Sequence, residues 1–190
     1  RERLLVPLMR TWHEIASRLS PANDPERSRR NVGHHYEKPV AFYDLFLDRE
    51  RQYSCAYFEY EGQSLDDAQR AKQRHLAAKL LIGPRTRILD IGSGWGGLAF
   101  YLAGIAGAGS VKGVTLSEEQ TRQARAGGLA RGLATRVDFE VRDYRTLEGT
   151  FDRIVSVGMF EHVGPKNYPY FFRNGARLLP GDGIMLLHMI

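Results

Sequence analysis

Apolar segments of strand length alternate with helix-length segments from Pro84 to the last residue, and this alternation constrains the fold more than any other feature of the sequence. Strands that are separated by helices lie parallel to one another, and the helices cover both faces of the sheet. The pattern therefore predicts an α/β fold with a doubly wound parallel sheet. The predicted strands are RILDIGSG, SVKGVTLS, VDFEVRDY, FDRIVSVGM and GIMLLHMI, and the predicted helices are LAFYLAGIA, EEQTRQARAGGLARG and YPYFFRNGARLL.

Composition and charge narrow the class of protein. The chain has 190 residues, enough for one domain with a sizeable core, and its 43% hydrophobic and 26% charged residues exclude collagen-like, low-complexity and wholly disordered chains. A single cysteine, Cys55, cannot form an internal disulfide, which favours a cytosolic protein. The formal net charge of +5 favours partners that carry phosphate, such as a nucleic acid, a nucleotide or an anionic membrane surface.

The chain divides into three predicted regions. Residues 1–30 contain an amphipathic helix and a linker, with seven arginines against four acids. They form either a solvated helix that covers the core or an arm that lies on anionic lipid. Residues 31–85 are rich in aromatic side chains, which we expect in the core, and continue into a helix that begins after Ser64. Residues 86–190 form the predicted sheet.

The segment LDIGSGWGG places glycines between the first predicted strand and the following helix. Gly92, Gly94 and Gly97 match G-x-G-x-x-G, and glycines in this position let the backbone approach a ligand while the helix N-terminus offers unpaired N–H groups. This context predicts a nucleotide site. A dinucleotide site would also need an acid at the end of the second strand to hold the ribose, but Thr115 stands there.

A second pattern in the same loop favours a different cofactor. Asp90, Gly92, Gly94 and Gly96 form D-x-G-x-G-x-G, which resembles the S-adenosylmethionine loop of class I methyltransferases. The pair Asp143-Tyr144 at the end of the third predicted strand suits the adenine pocket of those enzymes. The resemblance therefore implies S-adenosylmethionine rather than NAD.

Longer motifs carry a more specific resemblance, and they follow one another from about Asn31 to the last residue. They are HHY at 34–36, FYDLFLD at 42–48, YSCAYF at 53–58, LDIGSGWGG at 89–97, GVTLSEEQ at 113–120, DYR at 143–145, FDRIVSVGMFEHVG at 151–164 and LLHMI at 186–190. This set resembles cyclopropane-fatty-acyl-phospholipid synthases and mycolic-acid methyltransferases. The sequence departs from that family at Ser93, where the family often has cysteine, and at EKPV before Ala41, where it usually has a variant of DLSND.

The resemblance implies a Rossmann-like class I methyltransferase sheet with an N-terminal helical lid in residues 31–85. It also implies a set of residues around S-adenosylmethionine: Tyr53, Ser54, the loop Asp90 to Gly96, Thr115, Gln120, Tyr144 and Arg145. Gln120 would take the ribose role that an acid has in other enzymes. Ser117 and Gln120 also form S-x-x-Q, a capping box that begins the next helix whatever binds nearby, and the two roles are compatible.

The family's reaction transfers a methyl cation to the cis double bond of a phospholipid acyl chain and then removes a proton, so that a cyclopropane ring closes. A carbocation requires aromatic faces, exclusion of water and a weakly nucleophilic base, and the family uses bicarbonate. The resemblance assigns the bicarbonate pocket to Cys55, Glu161, His188 and Ile190. Taken alone, Cys55 fits a small buried hydrophobe and His188 a core histidine, whereas Glu161 follows a buried strand at the end where ligands bind.

By the same resemblance, the expected partners are phospholipid acyl chains at an anionic membrane surface, and the expected location is cytoplasmic and peripherally membrane-associated. Scattered histidines and one cysteine predict no metal site. GMFEH stands where enzymes that methylate base amino groups carry N-P-P-Y, which disfavours a nucleic acid partner. A methyltransferase of an amine, a sterol or another small lipid and a noncatalytic cofactor-binding remnant stay open. Because class I methyltransferases usually carry two further strands, we expect a fragment that stops after the fifth.

Overall fold

The computed structural model describes residues 38–190, and these contain one five-stranded parallel sheet. Its strands are β1 (Arg87–Ile91), β2 (Ser110–Thr115), β3 (Val137–Val141), β4 (Arg153–Val157) and β5 (Ile184–His188). They lie in the order β3-β2-β1-β4-β5, with Asp90 of the central strand paired to Gly113 of β2 and to Val155 of β4. The predicted doubly wound α/β sheet is confirmed.

Two of the described helices precede β1 and three lie between strands, largely where the sequence predicts them. They are α1 (Val40–Tyr43), α2 (Leu65–Lys79), α3 (Gly97–Gly104), α4 (Glu118–Ala130) and α5 (Tyr168–Leu178), with 3-10 turns at Tyr144–Thr146, Phe160–His162 and Pro165–Asn167. α2 begins as predicted, because the Ser64 hydroxyl accepts the N–H of Asp67 at 3.2 Å and caps the first turn. Ala68 and Ala71 on its inner face and Leu80 directly after it are buried.

Apolar side chains fill both faces of the sheet. Ile88 packs in a cluster with Leu98 and Leu102 of α3, and this cluster also includes Leu80 after α2. Leu89, the next residue along β1, belongs to a second cluster with Leu178 of α5. Successive residues of a strand point to opposite faces, so this division shows helices covering both sides of the sheet.

The aromatic segment between residues 42 and 58 departs from the prediction. Tyr43 is buried and its ring centroid lies 4.7 Å from that of Trp95, as expected for a core residue. The other rings are 46–57% exposed: Phe42, Phe46, Tyr53, Tyr57 and Phe58. The expectation that they lie in the core was wrong, because this segment contributes no strand to the sheet and several of its rings pack against one another, as Phe42 and Phe46 do at 5.4 Å.

Residues 1–37 lie outside the described part of the chain, and so do the predicted arm and linker at 1–30 and the HHY motif at 34–36. The predicted boundary between residues 85 and 86 also stays a prediction. Among the helices of residues 38–190, none combines the length and the apolar character needed to cross a membrane. β5 lies at one edge of the described sheet, and all its residues are partly exposed.

Candidate active site

A cavity of about 440 Å³ opens beyond the carboxyl ends of β1, β2 and β4, the side on which doubly wound sheets bind ligands. The glycine loop after β1 and the segments after the other strands form its walls, together with residues 51–54. The predicted cofactor residues that line it are Tyr53, Ser54, Asp90, Gly92, Gly94, Thr115, Gln120, Tyr144 and Arg145. Residues that are up to 92 positions apart in sequence therefore share one cavity.

The glycines of the loop serve different purposes. Gly94 has φ +55° and lines the cavity, and a Cβ atom added to it would meet nothing within 4 Å, so bare backbone faces the open space. Gly96 has φ +89° and precedes α3, where an added Cβ would lie 2.8 Å from the ring of Phe139. Gly96 is not among the residues that line the cavity. Packing against the sheet therefore accounts for this glycine.

The end of β2 carries neutral polar groups where a dinucleotide site would carry an acid. The hydroxyl of Thr115 donates to Oε1 of Gln120 at 2.8 Å. The hydroxyl of Ser117 accepts the backbone N–H of Gln120 at 3.2 Å and so caps α4. Ser117 thus performs the predicted capping, while the carboxamide of Gln120 is held against Thr115 at the cavity wall.

Asp90 is a fully buried acid in the cavity wall. It is 2% exposed, and its Oδ2 atom has no hydrogen-bond partner within residues 38–190. Burial raises the pKa of Asp90 to about 7, because the ionised form loses its hydration. The hydroxyl of Ser93 is also buried without a partner in this part of the chain. Both atoms can therefore form hydrogen bonds to a ligand in the cavity. A cationic ligand would also favour the ionised form of Asp90.

The motif after β3 builds another wall. Asp143 accepts the Nε–H of Arg145 at 2.8 Å and its backbone N–H at 2.9 Å. The ring of Tyr144 lies edge-on to Phe171 with centroids 5.4 Å apart, and burial raises the pKa of Tyr144 to about 12. Tyr144 is therefore a neutral ring with a fixed orientation at neutral pH, which suits stacking against a planar ligand.

The four predicted catalytic residues do not line this cavity but lie beside it. Oε1 of Glu161 accepts the backbone N–H of Ile190 at 2.8 Å, so the structure brings these two together. The N–H of Gly158, a residue of the cavity wall, donates to the carbonyl of His188 at 3.0 Å. Cys55 is exposed, so the alternative of a small buried hydrophobe was wrong.

We call the place beside the cavity where Glu161, His188 and Ile190 lie the corner. His188 carries a nitrogen without a hydrogen-bond partner there. Its Nδ1 atom is buried and has no hydrogen-bond partner within residues 38–190. Burial lowers the pKa of His188, the nearby charge of Lys72 lowers it further, and Glu161 opposes the change. The imidazole is therefore mostly neutral at pH 7, and a neutral imidazole can accept one proton.

Sequence reasoning missed the residues that hold the segment 52–55, which we call the strap. Asp48 accepts the first strap N–H through Oδ1 at 2.7 Å. From α2, the Nε2 atom of Gln69 donates to two strap carbonyls at 3.1 and 2.9 Å, and Nζ of Lys72 donates to the hydroxyl of Ser54 at 2.6 Å. The strap is therefore fixed by buried polar groups from both sides.

A signal for two of these residues is present in the sequence. Gln69 and Lys72 lie on the helical face that also carries Ala68 and Leu76, the face that the apolar pattern predicts to be buried. Polar side chains on such a face need partners when the helix packs. This reasoning would have marked both residues as candidates for a functional role.

Comparison with known proteins adds a decisive finding to this geometry. The family described as Mycolic acid cyclopropane synthetase matches residues 23–190. The chain belongs to this family. The membership confirms the resemblance that the motifs indicated, despite the departures at Ser93 and at EKPV.

Individual relatives agree with the family assignment. The chain is 48% identical over 156 residues to the cyclopropane-fatty-acyl-phospholipid synthase of Escherichia coli (strain K12), which covers 82% of this chain and 39% of that protein. It is 40% identical over 171 residues to a Pseudomonas putida protein named probable fatty acid methyltransferase, covering 89% of this chain and 43% of that protein. The chain thus spans less than half the length of either relative.

A solved structure of a family member matches the fold. A crystal structure of a mycolic acid cyclopropane synthase complexed with SAH and CTAB superposes with a TM-score of 0.80 at 36% identity, over 84% of this chain and 55% of that chain. The class I methyltransferase type of sheet is therefore confirmed for this member of the family.

Proposed function

We propose that this chain is the S-adenosylmethionine-binding part of an enzyme that adds a methylene group to the cis double bond of a phospholipid acyl chain and forms a cyclopropane ring. The observation that carries the proposal is the pairing of two sites. A cavity with bare glycine backbone and a buried acid lies next to a corner that holds Glu161, His188 and Ile190. The family membership and the 48% identity to a synthase of this class support the assignment.

The residues of the cavity fit S-adenosylmethionine. The open space in front of Gly94 admits a ligand that approaches the backbone, and the unpartnered Oδ2 of Asp90 can face a positive group. Gln120 would take the ribose and Tyr144 the adenine, with Tyr53, Ser54, Thr115 and Arg145 completing the walls. Bound there, the cofactor would supply an electrophilic methyl group on a positively charged sulfur.

The protein's own part in the proposed reaction is to orient the acyl chain and to protect the carbocation from water. Aromatic faces stabilise positive charge that develops on an acyl chain, and rings of this kind stand at the cavity, with Tyr53 and Trp95 in its wall and Tyr43 packed against both. The same rings exclude water, which would otherwise capture a carbocation. Tyr53 is 54% exposed, so it lies where an acyl chain could enter.

The corner beside the cavity fits an anion that accepts a proton. We propose that it holds bicarbonate between Glu161, His188, Cys55 and Ile190. The unpartnered Nδ1 of His188 offers the anion a hydrogen-bonding group, and the carboxylate of Glu161 is held in place by the N–H of Ile190. Glu161 and the neutral His188 can then share the proton that ring closure releases.

Replacing Glu161 with glutamine tests the proposed function. Glu161→Gln keeps the oxygen that accepts the Ile190 N–H but removes the charge. In the full-length protein, the affinity of the variant for S-adenosylmethionine should stay within about threefold of that of the parent. Its rate of forming ring-containing lipid should fall about 100-fold, as expected when a general-base assembly loses its charge. Calorimetry gives the affinity, and mass spectrometry of phospholipids gives the rate.

A matched control and the products complete this experiment. Glu148→Gln makes the same change at an exposed position away from the cavity and should match the parent in both measurements. Ring formation by Glu161→Gln at the parental rate would overturn its assignment. If the parent forms only an N-methylated or ring-free product, the protein is a related methyltransferase instead. If it binds S-adenosylmethionine but turns over no lipid, it is a noncatalytic remnant.

We further propose a peripheral position at an anionic membrane surface in the cytoplasm. Phospholipid acyl chains must reach the cavity from a bilayer, and the exposed rings of Phe42, Phe46 and Phe58 lie on the segment that includes the cavity residue Tyr53. The seven arginines of residues 1–30 suit an anionic surface.

A further inference from the structure

Lys72 of α2 is a buried cation that the proposed reaction has not used. It is 3% exposed, and its ammonium donates to the hydroxyl of Ser54 at 2.6 Å. Within residues 38–190 this partner is a neutral hydroxyl rather than a carboxylate. Lysine is almost never fully buried unless its charge is compensated, because losing hydration is costly. The carboxylate of Asp48 acts on this ammonium through its charge, but within residues 38–190 no ion pair joins the two groups, so the buried charge is only partly compensated.

The lysine lies behind the corner that we assign to the anion. Its partner Ser54 packs against Gly158, where an added Cβ atom would lie 3.3 Å from the Cβ of Ser54. The N–H of Gly158 in turn donates to the carbonyl of His188. Lys72, the strap and the ends of β4 and β5 are thus in continuous contact. Cys55 is the last residue of the strap.

Charged side chains of both signs act on this corner. Lys72 and Lys79 face His188 from α2 and lower its pKa, while Glu161 faces it from the turn after β4. Asp48 and Cys55 face Lys72 itself. Burial lowers the pKa of Lys72 to about 8, so the ammonium is still mostly protonated at pH 7. A positive charge next to a neutral imidazole attracts an anion.

Resting on the proposed function, we infer that Lys72 is a positioning residue that retains the anion at the corner of Glu161 and His188 by its charge, acting from behind the strap. The ammonium does not need to touch the anion, because charges in a partly buried site interact over several ångströms. Its hydrogen bond to Ser54 keeps the charge at a fixed place. Lys72 itself is not among the residues that line the cofactor cavity.

Lys72→Met tests the charge, since methionine keeps an unbranched stem in the buried slot. In the full-length protein, the dissociation constant for 13C-labelled bicarbonate, measured by NMR, should rise about tenfold, while the affinity for S-adenosylmethionine stays within about threefold. The bicarbonate concentration for half-maximal turnover should rise by the same factor, and kcat at saturating bicarbonate should largely recover. The pKa of the His188 imidazole should rise, because a nearby positive charge that lowers it has gone.

Two further variants separate the charge from the structural role. Ser54→Ala removes the hydrogen bond but keeps the ammonium, so it should weaken bicarbonate binding less than Lys72→Met does, and its affinity for S-adenosylmethionine is measured alongside because Ser54 also lines the cofactor cavity. Lys79→Met removes an exposed lysine of the same helix and should move the pKa of His188 less than Lys72→Met does. If Lys72→Met does not fold, Lys72→Gln keeps a donor for Ser54 without the charge and replaces it in every measurement.

The outcomes distinguish this inference from the proposed function. A parent that makes no ring-containing lipid would overturn the proposed function. An active parent whose Lys72 variant binds bicarbonate normally and leaves the His188 pKa unchanged would overturn the role of Lys72 alone. Loss of bicarbonate binding in Ser54→Ala equal to that in Lys72→Met would also overturn it, because the strap and not the charge would then retain the anion.

Discussion

Replacing Asp90 with asparagine should reveal how much stability the fold loses by burying an ionisable acid in the cavity wall. Asp90 is 2% exposed at the centre of the sheet, and its Oδ2 has no hydrogen-bond partner within residues 38–190. Asparagine has nearly the same shape but cannot ionise. The substitution therefore removes the cost of ionisation and leaves the packing of β1 intact.

The size of the effect follows from the change in pKa. Burial raises the pKa of Asp90 from 3.8 to about 7. At 1.36 kcal/mol for each pH unit, ionising this acid costs the folded state about 4 kcal/mol relative to the unfolded chain. The buried amide that replaces it lacks a partner for its N–H groups, which costs roughly 1–3 kcal/mol. Above pH 7, Asp90→Asn should therefore be more stable than the parent by roughly 1–3 kcal/mol.

The raised pKa of Asp90 also determines the direction in which stability changes with pH. A raised pKa in the folded state means that the contribution of Asp90 to stability is fully present below pH 3.8 and is lost as the pH rises through about 7. The parent should lose stability in this window, and the difference between variant and parent should change by about 4 kcal/mol across it. Other titrating groups are common to both proteins and cancel in the difference.

Urea unfolding of both proteins without cofactor, followed by circular dichroism between pH 4 and pH 8, measures this difference. Asp182→Asn, at an exposed position in the turn before β5, is measured alongside as the same substitution outside the core. A difference curve for Asp90→Asn that is flat with pH would refute the reasoning, because Asp90 would then titrate alike in the folded and unfolded states.

Three other predictions test the site and its surroundings. Gly94→Val should abolish S-adenosylmethionine binding in a folded protein. Gly132→Val also places valine at a positive φ over open space, but on the surface, and should bind normally in calorimetry. Ser117→Ala should lower the free energy of unfolding by about 1 kcal/mol with unchanged cofactor affinity, while Gln120→Ala should weaken that affinity about tenfold. Binding to anionic vesicles should fall with added salt and after deletion of residues 1–30, and equal binding to neutral vesicles in a sedimentation assay would contradict an electrostatic attachment.

The sheet and the cofactor cavity were predictable because each rests on a local pattern. Apolar runs that end in glycine or a polar residue mark the carboxyl ends of parallel strands, and these ends meet at one edge of the sheet. Asp90, Thr115 and Tyr144 each stand at or just after such an end, so their meeting in one cavity follows from the strand pattern alone. The motif resemblance added which ligand the cavity fits.

The aromatic segment and the strap were not predictable in the same way. Ring content alone does not state whether a side chain packs inward, and the exposed Phe42 and Phe46 have no strand or long helix to orient them. Lys72 has the spacing of an inward position, yet a lysine at such a position often extends its ammonium to solvent. Only the packing of α2 on the strap shows that this ammonium stays inside.

Asp90 and Lys72, two of the buried ionisable groups of the site, have opposite charges, and each lies where the proposed chemistry needs that charge. Burial brings both pKa values close to neutrality, to about 7 for Asp90 and about 8 for Lys72. A fold selected for stability alone would replace such groups with apolar ones. Asp90 lies in the wall of the cavity that we assign to a cationic cofactor. Lys72 lies behind the corner that we assign to an anion, where it contacts Ser54, which packs against Gly158. In the proposed reaction, this arrangement would keep the cationic cofactor and the base close together without direct contact, as methyl transfer followed by proton removal would need.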